Sequence, residues 1–223
     1  MPAGTTQTRP YLRAGERRSQ LLGAAAAVVG REGLGSLTVA GVAVEAGVSR
    51  QWIYEHFTDL DDLYRALILD RFASLDATID AATRRLTGIG LVTFAARQLF
   101  ALAPADRRIL RALVDGVGRN RPELADIESE LRERIFRRWT GLLRNVGHDE
   151  PEARAIVWAI VNAVFGFADQ LERDSLAVEK AVSLLEVLVQ AVTETRSINQ
   201  RSFRPRPGTD DIHQRGTGAL HAH

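Results

Sequence analysis

The chain contains no cysteine, a single lysine (Lys180) and only five histidines. The absence of cysteine excludes disulfides, thiolate metal sites and cysteine nucleophiles. No two histidines stand at the helical spacing of metal ligands within a segment predicted to be structured, so we expect no metal site. A glycine-rich phosphate loop and a nucleophile with a positioned base are also missing. The sequence therefore predicts no catalytic residue and no cofactor.

Long apolar runs are scarce as well. The N-terminal segment MPAGTTQTRPYLRAGERRSQ is polar throughout, and we find no stretch with the roughly 20 apolar residues of a membrane span. We therefore expect a cytoplasmic protein without membrane contact. The chain has 223 residues, 45 % of them hydrophobic, which suffices for one large domain or two smaller ones.

The net charge of +1 is spread unevenly along the chain. Residues 1–56 contain six arginines and four acidic residues, so the N-terminal part is weakly basic. This distribution is compatible with nucleic-acid binding, although many other proteins share it.

Helical periodicity is present along most of the chain, whereas strand signals are nearly absent. The sequence therefore predicts an all-α protein whose first helix begins near residue 13 and ends before the glycines of REGLGS. Residues 1–13 are expected to form a flexible arm, and residues 197–223, rich in arginine, glycine and proline, a disordered tail. The later helices are predicted near residues 39–46, 49–56, 58–86, 91–102, 105–118, 122–146, 152–172 and 176–196.

The last two predicted helices are unusually apolar. Asn162 alone interrupts the apolar residues 155–168, and the following helix has a wide apolar face. Such surfaces must be covered, and the rest of a chain of this length could cover only part of them. We expect a homodimer in which residues 152–172 and 176–196 of both subunits form a four-helix bundle. The alternative is that both helices lie within the core of one monomer.

Residues 38–56 have the spacing of a helix-turn-helix. A small residue, Ala43, stands where two helices would cross, and Gly47 suits the turn. Thr38 and Ser49 are suitable N-caps for the first and the second of these helices. The apolar residues that would face the interior are Val42, Val48 and Ile53. The side chains that must then largely face outward are Arg50, Gln51, Trp52, Tyr54 and His56.

The segment LTVAGVAVEAGVSRQWIYEHFTDLDDLYRAL resembles the DNA-binding signature of the TetR family of transcriptional regulators, and the resemblance covers roughly residues 15–70. It implies an N-terminal three-helix DNA-binding domain (14–58), a connecting helix (59–87) and a C-terminal helical domain for ligand binding and dimerisation (88–196). The matching positions are Gly33, Thr38, Val42, Ala43, Ala46, Gly47, Val48, Ser49, Tyr54, Phe57 and Leu63.

The resemblance further implies a homodimer that binds an inverted-repeat operator in double-stranded DNA, with the recognition helix 49–56 in the major groove. The residues expected to contact phosphates are Thr38, Ser49, Tyr54 and His56. The residues expected to approach base edges are Arg50, Gln51 and Trp52.

Two positions depart from the family pattern. Leu60 stands where members usually carry a lysine, so one phosphate contact would be lost, and Trp52 stands where a small residue or threonine is usual. Alternatives to DNA contact also remain open for three side chains. Tyr54 could serve mainly in packing, Trp52 could lie against the first helix, and His56 could simply cap its helix.

For residues 91–196, the resemblance implies a site for a small effector that favours the form not bound to DNA. The segment contains large aromatics with polar groups nearby, as expected of an apolar pocket with a few orienting groups, although ordinary core packing would also explain them. The expected ligand is apolar or amphipathic, with an acid that Arg97 could pair with. The candidate residues are Phe94, Arg97, Phe100, Trp139, Trp158, Asn162 and Phe165, with Asp169 beside them.

We interpret the chain as a ligand-responsive regulator, and specifically as a repressor. A helical dimer that has lost specific DNA binding and docks another protein is one alternative, favoured by Leu60 and Trp52 and opposed by the intact set Thr38, Tyr54 and His56. A small-molecule enzyme is the other alternative, opposed by the missing catalytic groups.

Overall fold

A computed structural model describes residues 14–145 and 147–202, with side chains for residues 15–145 and 147–193. Every regular element in these residues is a helix, which confirms the predicted all-α class. The predicted arm, residues 1–13, lies outside the described residues, as does the predicted tail beyond Ser202.

The first three helices, α1 (Ala14–Glu32), α2 (Val39–Ala46) and α3 (Arg50–Tyr54), form a helix-turn-helix head. Its helix starts are capped as predicted, because the side chain of Thr38 accepts a hydrogen bond from the amide of Gly41 at 3.0 Å and that of Ser49 from the amide of Trp52 at 3.2 Å. Gly47 has a φ of 64°, in the left-handed region that a residue without a side chain adopts easily. The sharp turn between α2 and α3 follows from this glycine.

Helix α4 (Leu60–Ala82) links the head to the remaining helices. It begins at Asp59, whose carboxylate accepts a hydrogen bond from the amide of Asp62 at 2.7 Å. Further along, α4 packs against α1, α5 and α6. Its buried side chains, such as Leu63 and Leu67, therefore contribute to both parts of the molecule.

The body consists of α5 (Gly88–Ala101), α6 (Pro104–Asp115), α7 (Val117–Asn120), α8 (Ala125–Arg144), α9 (Glu150–Glu172) and α10 (Val178–Ser202). Several of its helix boundaries differ from those predicted from the sequence; α5, for example, begins at Gly88 where residue 91 was predicted.

The prediction of one helix over 105–118 is wrong because Gly116, with a φ of 80°, ends α6 and starts α7. The helix predicted from residue 122 begins as a 3-10 turn over Pro122–Leu124 and becomes α-helical only at Ala125. The predicted tail starts too early, since α10 continues past Ser197 to Ser202. No glycine or proline interrupts α10, and the next proline is Pro205.

One hydrophobic cluster extends from the head into the body. It includes Leu21 of α1, Phe57 after α3, Leu67 of α4, Leu113 of α6 and Leu185 of α10, each at most 3 % exposed. A smaller cluster joins α8 to α9 and contains Phe136, Leu143, Ala153 and Val157. The head therefore shares its core with the body, so a shift of the body helices reaches the head through packed side chains.

Polar contacts also join head and body. The hydroxyl of Tyr64 in α4 donates to the carbonyl of Leu34 at 2.5 Å, and the guanidinium of Arg121 lies 4.1 Å from the centre of the Tyr64 ring. Burial raises the pKa of the Tyr64 phenol above its ordinary value, while nearby Arg121 lowers it in part. The hydroxyl therefore stays protonated at neutral pH and remains a donor.

Arg108 of α6 makes a second connection. Its Nη1 donates to the carbonyl of Gly30 in α1 at 2.5 Å, and its Nη2 contacts the carboxylate of Glu172, at the end of α9, at 2.6 Å. One side chain thus joins the head to two body helices.

Helix α9 is long and apolar enough, by length and composition, to cross a membrane, and it is the one such helix in the described part of the chain. Only 17 % of its most apolar window is buried. Core helices of soluble proteins pass the same test, so length and composition alone do not show that α9 spans a membrane.

Candidate DNA-binding surface and central cavity

The recognition helix presents one exposed polar strip. Arg50, Gln51 and Tyr54 lie within about 100° of one another around α3, and all three are exposed, Tyr54 by 55 %. Ile53, on the opposite side, is 1 % exposed and anchors the helix to the core. The helix is shorter than the predicted 49–56, because it ends at Tyr54. The strip is able to donate hydrogen bonds through an arginine, an amide and a phenol.

Trp52 lies outside this strip, about 100° further around α3 than Gln51. It is half-buried and packs against the hydrophobic core of the head. Its ring also meets that of His56 edge to face, with 5.2 Å between the ring centres. Part of the indole therefore packs against the core, and part of it remains accessible.

The end of the recognition helix is fixed by an arginine of α1. Arg18 of α1 donates to the carbonyl of His56 at 2.9 Å, and its guanidinium carbon lies 4.4 Å from the centre of the Phe57 ring. A cation at the carbonyl end of a helix is favourable. Arg18 thus holds α3 against α1, a role distinct from that of a solvated surface charge.

Thr38 and Ser49 are exposed at the starts of α2 and α3. Each hydroxyl oxygen accepts a backbone hydrogen bond, which leaves its own proton free to donate to a phosphate oxygen. Leu60 is half-buried and packs against the core, so the first residue of α4 offers no cation.

A cavity of about 550 Å³ lies within the body, enclosed by α4, α5, α6, α8, α9 and α10. Most of its wall is aliphatic, with Phe72, Trp139 and Phe165 as aromatic members. Pockets of this size and composition hold small, largely apolar molecules. The polar residues in the wall are Asp76, Thr87, Arg138, Asn145, Gln190 and Thr193.

Of the seven candidate effector residues, Trp139 and Phe165 line this cavity, whereas Phe94, Arg97, Phe100, Trp158 and Asn162 do not. Arg97 is not available as a partner for an acidic ligand. It binds both carboxylate oxygens of Glu179 at 2.7 and 2.6 Å near the surface, and its hydrogen bonds hold the pKa of Glu179 below its ordinary value.

The other predicted residues outside the cavity lining have structural surroundings. Phe100 is buried in the core and Phe94 is half-buried outside the cavity. The guanidinium carbon of Arg132 lies 4.5 Å from the Trp158 ring centre, and the exposed Asn162 donates to the carbonyl of Trp158 at 2.8 Å. Helical spacing predicted that these residues lie near one another, but it does not indicate which side of each helix faces the cavity.

A charged cluster in the cavity wall was not predicted from the sequence. The carboxylate of Asp76 accepts from Arg138 at 2.6 Å and from Arg134 at 2.5 Å, and Arg138 also pairs with Asp80 at 2.7 Å. Two cations and two anions balance one another there. Because the partners come from α4 and α8, far apart in the chain, no local sequence pattern indicates their pairing.

The outer faces of the last two helices are uncovered. On α10, Leu184, Val187 and Leu188 are 37 %, 61 % and 44 % exposed. On α9, Ala155 and Ala159 are exposed. Large aliphatic side chains at this exposure on one helix are typical of an interaction surface.

Residues 21–67 match the model of the family described as bacterial regulatory proteins, tetR family. A TetR-like transcriptional regulator from Rhodococcus sp. RHA1 has a similar structure, with a TM-score of 0.66 and 21 % identity over 81 % of this chain and 97 % of that one. FadR from Bacillus subtilis, solved in complex with stearoyl-CoA, has a TM-score of 0.62 and 17 % identity over 78 % and 97 % of the two chains.

The multidrug binding protein EbrR, complexed with imidazole, has a TM-score of 0.53 and 26 % identity over 77 % of this chain and 94 % of that one. No curated protein matches the chain significantly.

Proposed function

We propose that this chain, whose DNA-binding head matches the TetR family model, is a repressor that binds an inverted-repeat operator as a homodimer and leaves it when a small effector binds. The observation that carries this proposal is the exposed strip of Arg50, Gln51 and Tyr54 on a helix-turn-helix within the family-matched segment.

The chemistry of this strip suits a major groove. Arginine pairs with guanine and glutamine with adenine through two hydrogen bonds each, while hydroxyl groups bind phosphates. In the proposed complex, Arg50, Gln51 and the accessible part of Trp52 approach base edges. Thr38, Ser49 and Tyr54 hold the phosphates, and His56 lies close enough to the end of α3 to join them.

The proposed dimer is formed by α9 and α10 of both subunits, because their outer faces are the uncovered apolar surfaces described above. A two-fold axis would bring both sets of helices into a four-helix bundle and place the two heads at successive turns of a DNA duplex. Residues 14–58 would act as the head, 59–87 as the connection and 88–196 as the regulatory body of this cytoplasmic protein.

The cavity is the proposed effector site. Two solved structures of the same fold, FadR with stearoyl-CoA and EbrR with imidazole, contain small molecules. In this chain the cavity wall includes α6, which also contacts α1 of the head. An effector that favours one position of α6 would shift the populations of head positions and thereby lower operator affinity.

Fluorescence anisotropy tests the DNA-binding part of the proposal. The full chain is titrated against a labelled duplex from the region upstream of its own gene and against a scrambled duplex, across a salt series. We expect salt-sensitive binding to the first that is at least about a thousandfold tighter than binding to the second.

If every duplex binds weakly and equally, fragments selected from genomic DNA would show whether the operator lies elsewhere. Failure of that selection would overturn the regulator proposal in favour of a protein-docking dimer.

A further inference from the structure

The polar residues of the cavity wall gather at one end. Arg97, near the end of α5, pairs with Glu179 at the start of α10, and the two helices pack along each other. This arrangement fits an antiparallel pair in which the middle of α10 reaches the start of α5. His148, just after α8, lies 3.2 Å from the carbonyl of Val192 in α10. The cavity residues Thr87, Asn145 and Gln190 are therefore neighbours, and all three are exposed. They form the mouth of the cavity.

The opposite end is apolar and belongs to α6. Leu110, Leu113 and Val114 contribute to the wall there. The same helix contacts α1 through the hydrogen bond from Arg108 to the carbonyl of Gly30. The floor of the cavity is thus a helix that contacts the head, and a molecule long enough to reach from mouth to floor would touch it.

Two unpaired cations lie beside the mouth. Arg84 and Arg85 occupy the turn that leads directly to Thr87, both are exposed, and neither makes an ion pair with any described residue. The charged wall residues Asp76 and Arg138 are already paired with each other and add no net charge. The mouth is therefore weakly positive, while the interior is apolar and electrically balanced.

We propose that the cavity binds an elongated amphiphile whose anionic head lies at the mouth beside Arg84 and Arg85 and whose apolar tail extends to the floor on α6. The inference rests on the proposed function, because it names the chemical class of its effector. A carboxylate or a phosphate would serve as the head, since both accept charge-assisted hydrogen bonds from arginine. The tail is bound by removal of its methylene groups from water.

Calorimetry with three ten-carbon probes tests the charge of the head. Decanoate, decan-1-ol and decyltrimethylammonium are titrated into the full chain at low salt and below their aggregation concentrations. We expect decanoate to bind about fivefold tighter than the alcohol, because exposed arginines contribute modest attraction, and the cation to bind most weakly. Decyl phosphate in place of decanoate distinguishes the two anionic heads. Tighter binding of the alcohol or of the cation than of both anions would overturn the proposal.

The two arginines are tested by substitution. In the double variant Arg84→Gln/Arg85→Gln, the preference for decanoate over decan-1-ol should disappear, and added salt should abolish the preference in the unaltered chain. Arg173→Gln, an exposed arginine at the end of α9, is the matched control and should keep the preference. An unchanged preference in the double variant would show that the head binds elsewhere.

The length of the tail is tested with octanoate, decanoate and dodecanoate. Affinity should rise about fourfold per added methylene until the cavity is filled. Ala95→Phe introduces a large ring into the wall and should weaken all three probes by at least about tenfold, whereas Ala73→Phe, at an exposed position outside the wall, should not. Binding that ignores the Ala95 substitution would place the probes on another apolar surface.

These measurements need no DNA, so the two proposals can fail separately. If the amphiphiles bind as described but do not release the operator, the cavity assignment stands and the proposed regulation by this ligand class is wrong. If the chain binds an operator but none of the probes, the regulator proposal stands and the ligand class is wrong.

Discussion

Arg50 is the side chain of the recognition helix that we expect to discriminate most strongly between bases, because a guanidinium pairs with guanine through two hydrogen bonds. Its exposed guanidinium makes no ion pair with a described residue, so its substitution should leave the fold unchanged. We expect Arg50→Ala to cost about 1–3 kcal/mol of operator binding and to relax the base preference at one position of each half-site. Anisotropy on operator duplexes with single base changes measures both effects. An equal loss on operator and random DNA would instead assign Arg50 to a phosphate.

Tyr54 tests the other kind of contact. Removal of the hydroxyl in Tyr54→Phe keeps the ring and its packing but removes a donor to phosphate. We expect affinity to fall by about 1 kcal/mol for every duplex alike, with no change in base preference. An unchanged affinity would show that the ring serves in packing alone, and a sequence-dependent loss would show that the hydroxyl reads a base.

At the scale of single residues, the role of a side chain could be predicted from the sequence where it depends only on nearby residues in the chain. The caps at Thr38 and Ser49 are examples, because a cap needs only the three residues that follow it. Arg97 is the opposite case, since its partner Glu179 lies on another helix. Long-range ion pairs follow from the packing of helices, which local patterns do not encode, and the cluster around Asp76 was missed for the same reason.

Helix α6, like α4, both lines the cavity and contacts α1 of the head. If Arg108 transmits movement of α6 to α1, Arg108→Gln should leave decanoate binding unchanged and reduce its ability to release DNA by about tenfold or more. Both quantities are measured on one preparation, by calorimetry and by anisotropy. Arg111→Gln is the matched control on the same helix, because Arg111 pairs with Asp115 and Asp169 and not with α1.

One outcome for Arg108→Gln would contradict coupling through this side chain. Full release of DNA by decanoate in this variant would mean that the coupling depends on the shared apolar core and not on this side chain. The unfolding midpoint of each variant shows that a loss of response is not a loss of fold.

At the scale of elements, periodicity located the five long helices of the body but not the short α7, and it did not locate the helix ends equally well. The amphipathic pattern continues across Gly116, where a positive φ breaks α6 from α7. The pattern also fades after residue 196 although α10 continues, because a polar helix without glycine or proline carries no periodic signal. The break at Gly116 and the polar end of α10 therefore could not be predicted from the periodicity of the sequence.

At the scale of the whole molecule, the apolar surface of α9 and α10 explains why the chain should act as a pair. Two heads that bind one inverted repeat gain affinity from each other, because the second head binds at a high effective concentration once the first is bound. In the proposed dimer, the same arrangement would let an effector act, since a small change in the spacing of two heads would disrupt simultaneous binding. A monomer would lack both properties.

Val187 provides the test of that arrangement. At 61 % exposure it contributes nothing to the core of its own subunit, so Val187→Glu should leave the fold unchanged and place a charge in the proposed interface. We expect sedimentation velocity at micromolar concentration to show a dimer for the unaltered chain and a monomer for the variant, with operator affinity lower by at least about a hundredfold. Leu69→Glu is the control, because it places the same charge at an exposed aliphatic residue of α4, and this variant should remain dimeric. A monomer for the unaltered chain would remove the basis for an inverted-repeat operator, because one head would then have to recognise its site alone.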